Sequence, residues 1–534
     1  MLTRIFKIQP MLLKLDAAYI RMHSFLKAIP GFPFFYNRKA FKLRNLSNGS
    51  IPNFSPFVYD LQSIIKGKLV TLSGRFFPIF PIEAFWRKTL VDRDVLQELH
   101  GFHWLSFFNR IGDHFYMKKA RLITQQWIKE NKDARSPAWS PKITATRLIN
   151  WAQNYRFLIS SLGNDDSSSI HRSFARQLSY LIGEEKCLLD SDDLICVIYA
   201  IIRLVPKTCR ARLASKYIAH LCQSKILTVD HLRELSPDNI VENLQYLYNI
   251  KLLMQIWEVK NLSCLNEGIS CCRQLLNNII HSNGALATFN GKVPYPNEFV
   301  KTLAYSKAPV QTSEDISHES RVIKITSESS SILVDTGNFS LVASEIFYPL
   351  SFEYSCDRQV LISGAGVCME NRSFRGKDKA LKNSTELTFK SMPVTHEMYE
   401  ENKNTWFDGS ARWLFMDEMF AITRQIYLCR SGQELRCEDR VSHAYGFATF
   451  LLFSIPESLK ITKLKEVNGL VIEETSSKDK NQKWAWYFSK ETNFQMCGGK
   501  KYPINGIMQA VKHIIVPCSR DYDHTVSRWS LRRL

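Results

Sequence analysis

The chain has 534 residues, 45% of them hydrophobic and 12% aromatic, and carries a formal net charge of +19. That length exceeds what one hydrophobic core organises and the apolar content excludes wholesale disorder, so two or more globular domains are expected. The positive balance points to an acidic partner, which can be a polyanionic sugar, a nucleic acid or an anionic membrane surface.

The charge is unevenly spread. Residues 1–50 hold Arg4, Lys7, Lys14, Arg21, Lys27, Arg38, Lys39, Lys42 and Arg44 against Asp16 alone, so this arm supplies +8 of the +19. Its interrupted apolar pattern (Ile5, Phe6, Ile8, Met11, Leu12) reads either as a surface helix touching an anionic membrane or as an amphipathic arm packed on its own domain. The first thirty residues lack the apolar core and small-residue cleavage site of a secretory signal, so a cytoplasmic location is expected. The longest apolar run, Phe447 to Ile455, is too short to cross a bilayer. Thirteen cysteines, with no C-x-x-C pair and no Cys/His zinc spacing, are read as reduced and mostly buried thiols.

From about Asp60 to His281 the periodicity is helical. Helices are predicted over Asp94 to Asn109, Phe115 to Asn131, from Pro141 with Ser140 as its cap, and over Ser168 to Ile182, Asp193 to Arg203, Pro206 to Gln223, Asn239 to Val259 and Leu265 to His281. Antiparallel helices joined by short polar turns predict paired layers, an incomplete α/α toroid in preference to a repeat solenoid, since no fixed-period repeat occurs. After a polar linker at 307–320 the period becomes two. Segments such as RVIKIT, SILVDTG, LSFEYS, ELRCEDRV, KWAWYFS and VSRWSLRR predict a large antiparallel β-sandwich. The fold class is therefore α+β and multidomain: a basic arm (1–50), a helical domain (51–306), the linker (307–320) and a β-sandwich (321–534).

One stretch, VLISGAGVCMENRSFRGKDKALKNSTELTF from Val360 to Phe389, reads as a short strand, a Gly-Ala-Gly corner at Gly364 to Gly366, a basic polar loop and a second strand from Ser384. Arg372 and Arg375 in that loop suit paired hydrogen bonds to carboxylate or sulfate, or else pairing with Glu370 and Asp378 in a solvated loop. Arg147 and Trp151, four apart on one predicted helix, read as a platform for a sugar ring or as core. Asp408 with His396 is a weak metal pair, and no metal or cofactor site is expected. Nucleotide-binding loops and the nucleophile elbow G-x-S-x-G are missing, so neither nucleotide nor serine-hydrolase chemistry is supported, and no nucleic-acid partner is expected.

The order and spacing of LHGFHWL (Leu99 to Leu105), AWSPKITATRLINW (Ala138 to Trp151), HSNGALATFNG (His281 to Gly291), ILVDTG (Ile332 to Gly337), LSFEYS (Leu350 to Ser355), LRCEDRV (Leu435 to Val441) and the terminal VSRWSLRRL resemble the heparinase II/III-like polysaccharide lyases. The resemblance implies a helical toroid whose groove grips an acidic polysaccharide and cleaves it by β-elimination. Such chemistry needs a group that neutralises the uronate carboxylate, a base for the C5 proton and an acid for the departing glycosidic oxygen.

Carried over by position, Ser236 to Asn243 places Asn239 nearest the neutralising residue. The family tyrosine falls on Tyr295 by spacing or on Tyr305 by its local TLAYS pattern, and both stay open. Leu381 to Thr385 puts Asn383 where the family carries a catalytic histidine, and an amide can donate a hydrogen bond but accepts no proton at neutral pH. Phe407-Asp408-Gly409 stands where relatives often carry His-Asp-Gly. The resemblance implies an acidic polysaccharide as partner and a cell-envelope or periplasmic setting as the alternative to the cytoplasm. The loss of these histidines leaves a catalytically inactive, glycan-binding descendant as the alternative function.

Overall fold

The computed structural model describes residues 68–70, 76–78, 86 and all of 93–534 apart from 161–163, 189–190, 205–209, 260–261, 288, 290–294, 296, 306–319, 338–349, 372–388, 416–417, 443–446, 475–481, 505–506 and 518–523. The basic arm, Arg372, Arg375 and Asn383 lie outside the described residues. Where the sequence predicts helix alone, a small antiparallel ribbon comes first, β1 (Lys68–Val70) on β2 (Phe76–Pro78).

The helices follow in order: α1 (Arg93–His100), α2 (Leu105–Ile111), α3 (His114–Glu130), α4 (Pro141–Gln153), α5 (Tyr155–Ile159), α6 (Asn164–Glu184), α7 (Leu194–Leu204), α8 (Arg210–Gln223), α9 (Val229–Arg233), α10 (Pro237–Ile256), α11 (Ser263–Asn278) and α12 (Asn297–Ala304). The helix predicted over Asp94 to Asn109 is broken in two. Phe102 takes a left-handed φ of 60°, and a Cβ on Gly101 would lie 2.5 Å from the Gln97 carbonyl, so the chain turns there before α2 starts. Ser140 precedes α4 with Pro141 at its first turn, although the serine side chain makes no capping bond.

Helix α4 packs on α7 and α7 on α10, with α6, α8 and α11 behind them, which gives the two layers of an α/α toroid. Helix α7 is apolar on every side and buried nearly throughout, as expected of an inner helix. Cys222 at the end of α8 and Cys264 at the start of α11 form a disulfide, so the thiols are not all reduced as the sequence suggests. Cys196, Cys271, Cys272, Cys356 and Cys437 are free and buried.

Two antiparallel sheets complete the chain. The seven-stranded sheet has the order β16 (Gln495–Ile504), β17 (Ile507–Pro517), β12 (Phe447–Pro456), β6 (Gln359–Asn371), β5 (Phe352–Cys356), β4 (Ser330–Asp335), β3 (Val322–Thr326). The nine-stranded sheet runs β13 (Leu459–Lys463), β14 (Gly469–Glu474), β15 (Lys483–Phe488), β18 (His524–Arg533), β11 (Glu434–Ser442), β10 (Glu418–Leu428), β9 (Asn404–Phe415), β7 (Phe389–Ser391), with β8 (Thr395–Glu401) also on β9. The Gly-Ala-Gly segment lies inside β6 and is not a turn: Ala365 and Gly366 pair with β12, while the register with β5 slips by one residue at Ser363–Gly364, where Gly364 takes a positive φ of 150°.

The inner faces interlock through aromatics. Phe352 stacks on Trp529 at 5.9 Å, and Phe453 meets Trp486 and Trp529 edge-on at 5.1 and 5.5 Å. At the centre lies a fully buried ion pair between Arg424 and Asp439. The guanidinium also donates to the carbonyls of Leu350 and Ala365 on the opposite sheet's side, while Asp439 accepts from Trp529 Nε1 at 3.2 Å. Burial works to lower the Arg424 pKa, but the Asp439 carboxylate outweighs it and the net shift is upward.

Removing one partner strands the other charge in the core, so Asp439→Ala is expected to cost about 3–5 kcal/mol. Urea unfolding of the purified protein would measure this, and a cost near zero would show that the sandwich does not depend on the pair.

Candidate active site in the helical groove

The three inner helices run parallel, because ascending positions meet ascending positions. Lys142 in the first turn of α4 lies 2.6 Å from Glu242 of α10 and feels the charge of Asp193 just ahead of α7. One turn further on, Thr146 Oγ1 is 3.8 Å from Cys196 Sγ, which is also hydrogen-bonded to Tyr246. Three helix N-termini therefore open at one end of the toroid, and their aligned dipoles favour a negative charge there.

Helix α10 begins at Ser236, whose hydroxyl accepts from the Asn239 backbone N–H, with Pro237 next. The cap is thus Ser236, and Asn239 stands within the first turn with a half-buried side chain. Asn239, Glu242, Asn243 and Tyr246 follow at three- and four-residue steps and share one face. Tyr246 donates to Glu242 Oε1 at 3.3 Å. Asp238 Oδ1 and Asn243 Nδ2 are buried with no hydrogen-bond partner among the described residues, a place where a ligand or water can complete the set.

Tyr295 reaches this helix from the segment ahead of α12, its ring stacked at 5.9 Å on Phe299. Its phenol is held well above the ordinary tyrosine range by burial first, then by the carboxylates of Glu242 and Asp238. Tyr305 ends α12 with 70% of its surface in solvent. Of the two tyrosines left open by the sequence, the structure brings Tyr295 to the helix that carries Asn239.

The opposite wall is basic and imidazole-bearing. Lys142 and Glu242 side chains are 19% and 22% exposed, and burial, which lowers the lysine's pKa, is outweighed by the Glu242 carboxylate so that the ammonium persists. His103, presented by the break between α1 and α2, is pushed down to about 3 by burial and by the Lys142 charge, so its ring stays neutral. Arg321, bound to Asp335 at 2.9 and 3.0 Å, brings a second cation from the edge of β3 and also feels Asp238. Each of these groups keeps partial contact with solvent while burial lowers its pKa; in Lys142 and Arg321 the paired carboxylates outweigh that burial, and in His103 nothing does.

A clasp from the sandwich fixes this end. His281 Nε2–H donates to Glu353 Oε2 at 2.8 Å, His281 Nδ1 is 3.1 Å from Ser355 Oγ, and Glu353 Oε1 accepts from Phe289 N–H at 2.7 Å. All three side chains are buried.

Arg147 and Trp151 face the core and not the groove. Arg147 is 0% exposed and bonded to Gln177, Thr144 and the carbonyls of His100 and Ala138, with its guanidinium 4.0 Å from the Trp127 ring. Trp151 is 1% exposed and packs edge-on against Phe102 and Trp127. No sugar reaches either, so the platform reading is corrected. Phe407 fills the sandwich core near His396, and among the described residues no group of three His, Cys, Asp or Glu side chains is placed to hold a metal.

Lys142, Glu242 and Tyr246 were not legible as a site. The available signal was polar residues at 239, 242, 243 and 246 among apolar Ile240, Val241, Leu244 and Leu247. No helix among the described residues is long and apolar enough to cross a membrane.

The fold is shared with a crystal structure of heparinase III, at 13% identity over 94% of this chain and 88% of that one, with a TM-score of 0.55. A heparinase III gene product aligns at 12% identity over 99% and 90% (TM-score 0.45), and the heparan sulfate lyase HepC from Pedobacter heparinus at 12% over 97% and 87% (TM-score 0.43). No protein-family model and no curated protein sequence matches the chain.

Tyr295 is expected to titrate above free tyrosine, and Asp238→Asn with Glu242→Gln is expected to lower its pKa by removing the two carboxylates that disfavour the phenolate. Carbon-13 labelling of the tyrosine rings would follow this, and an unmoved or raised value would contradict the geometry.

Proposed function

We propose that the chain is a polysaccharide lyase that cleaves a uronate-containing polysaccharide by β-elimination in the groove at the N-terminal ends of α4, α7 and α10. The observation that carries the reading is the approach of Tyr295 to the polar face of α10, where Asn239 stands beside Asp238 and Asn243, buried groups without partners among the described residues. The shared fold with a protein named heparinase III is consistent with it.

In this reading the uronate carboxylate is drawn to the helix N-termini and to Lys142, and the Asn239 amide donates a hydrogen bond to it. Neutralisation makes the C5 proton removable, because the charge of the developing carbanion spreads into a carboxylate already held by donors. Burial and the neighbouring carboxylates keep Tyr295 protonated. It is therefore suited to giving its proton to the glycosidic oxygen as the C4–O bond breaks and the C4–C5 double bond forms, while the C5 proton passes to the neutral His103 ring near Lys142. Asn383, Arg372 and Arg375, outside the described residues, remain the sequence's candidates for amide donor and anion clamp. Asn383 supplies no base, and this favours the second reading, a groove that binds acidic glycan without turning it over.

Tyr295→Phe removes one hydroxyl and is expected to lower turnover at least about 10²-fold with little change in fold. The assay follows the ultraviolet absorbance of the conjugated unsaturated uronate on heparan sulfate, chondroitin sulfate, alginate and bacterial exopolysaccharides. No product from any of them with the wild-type protein would reject the lyase reading, and wild-type rates in the variant would reject Tyr295.

A further inference from the structure

The two sheets of the sandwich differ in what covers them. In the seven-stranded sheet, β4 and β5 are buried at every position, because the helical domain lies on their outer side through Val322, Leu333 and the Glu353 clasp. In the nine-stranded sheet, β11 alternates between buried and accessible positions, so its outer side faces solvent.

On that outer side one row of residues lies in register across six strands. Tyr487 pairs with Ser530, Ser530 with Arg436, Arg436 with Tyr427, Tyr427 with Trp406 and Trp406 with Tyr399. At about 4.8 Å per strand the row is about 24 Å long. Four of its six members are aromatic and none is fully buried; Tyr399 and Trp406 stack at 6.0 Å with their planes 9° apart, and Trp406 and Tyr427 lie 4.6 Å apart. A shallow groove of about 460 Å³ follows the row from Trp406 to Tyr487.

The row is flanked by arginines in excess. Glu434 takes the Nε–H groups of both Arg436 and Arg532, and Glu438 those of both Arg440 and Arg528, so four guanidinium groups share two carboxylates. All four arginine side chains are more than half exposed. Each pair engages its arginine through Nε–H, and the exposed guanidinium has further N–H donors with which to meet an anion.

We infer that this face is a second binding surface for an acidic polysaccharide, separate from the helical groove. The electron-rich faces of Trp406, Tyr427 and Tyr487 suit the C–H faces of sugar rings, and the surplus guanidinium edges suit uronate or sulfate groups. The alternating Glu434 and Glu438 carboxylates accept hydrogen bonds from sugar hydroxyls but repel a phosphodiester backbone with a charge at every unit. The acidic side chains of β8, Glu397 and Glu401, flank only the Tyr399 end, which places the anionic part of the ligand over β11 and β18.

The test is calorimetric binding of the full chain to a long heparan sulfate oligosaccharide, to an alginate oligomer and to a single-stranded oligodeoxynucleotide. Trp406→Ala with Tyr427→Ala is expected to weaken glycan binding about tenfold or more. Arg436→Gln with Arg528→Gln, surface changes that leave the core intact, should do the same and steepen no melting transition. Wild-type affinity in both double variants, no binding of either glycan to the wild type, or tighter binding of the oligodeoxynucleotide through the same residues would each overturn the inference. A wild-type protein that yields no unsaturated product but loses glycan binding in both double variants would refute the lyase reading and uphold this one.

Discussion

Both oxygens of the Glu353 carboxylate are engaged, one by the His281 imidazole and one by the Phe289 backbone N–H, inside an interface closed to water. Hydrogen bonds to a charged acceptor contribute about 1.5–3 kcal/mol each, and an unmade one leaves a buried charge, so this segment has one low-energy position. The chain that leaves it leads to Tyr295. The strand that supplies Glu353 belongs to the β-sandwich. The clasp thus ties the segment ahead of Tyr295 to the sandwich, while the helix that Tyr295 meets belongs to the toroid.

The electrostatics of the groove follow from helix polarity. Parallel inner helices put three N-termini at one end, and a cation there is opposed by the dipoles. Lys142 nonetheless keeps its charge because Glu242 sits 2.6 Å away. The pair is nearly desolvated, and such pairs seldom add net stability over an apolar equivalent. Its position at the groove is better explained by what it does to neighbours. Burial, reinforced by Lys142, keeps His103 neutral, and burial, reinforced by Glu242 and Asp238, keeps Tyr295 protonated.

The halves of the fold were legible because each has its own period, and the switch from 3.6 to 2 falls between α12 and β3. What failed was direction. Arg147 and Trp151 share a face, as their spacing requires, but α4 is walled on nearly every side and that face is core. The Gly-Ala-Gly segment looked like a corner because glycine permits one; the chain instead makes a local slip at Gly364 and continues as strand, with Ala365 and Gly366 paired to β12. Glu242 and Lys142 are a hundred positions apart and meet only through the toroid's topology, so no local pattern could join them. The Cys222–Cys264 pairing likewise depends on which helices become neighbours. Spacing left Tyr295 and Tyr305 equivalent, and burial separates them.

The aromatic row on the nine-stranded sheet is invisible in sequence for a related reason. Its members come from six strands scattered over residues 399 to 530, and only register aligns them. Its physics also differs from that of the groove. Solvated ion pairs are worth about 0.2–1 kcal/mol apiece and are screened by salt, so a ligand held there must use several at once and must be long. The groove has few groups but removes them from water, where each interaction is stronger and more dependent on geometry. A surface of the first kind retains a polymer without fixing its register, and a cleft of the second kind fixes one sugar. The two demands conflict within a single site, and the uncovered sheet offers this chain a place to separate them.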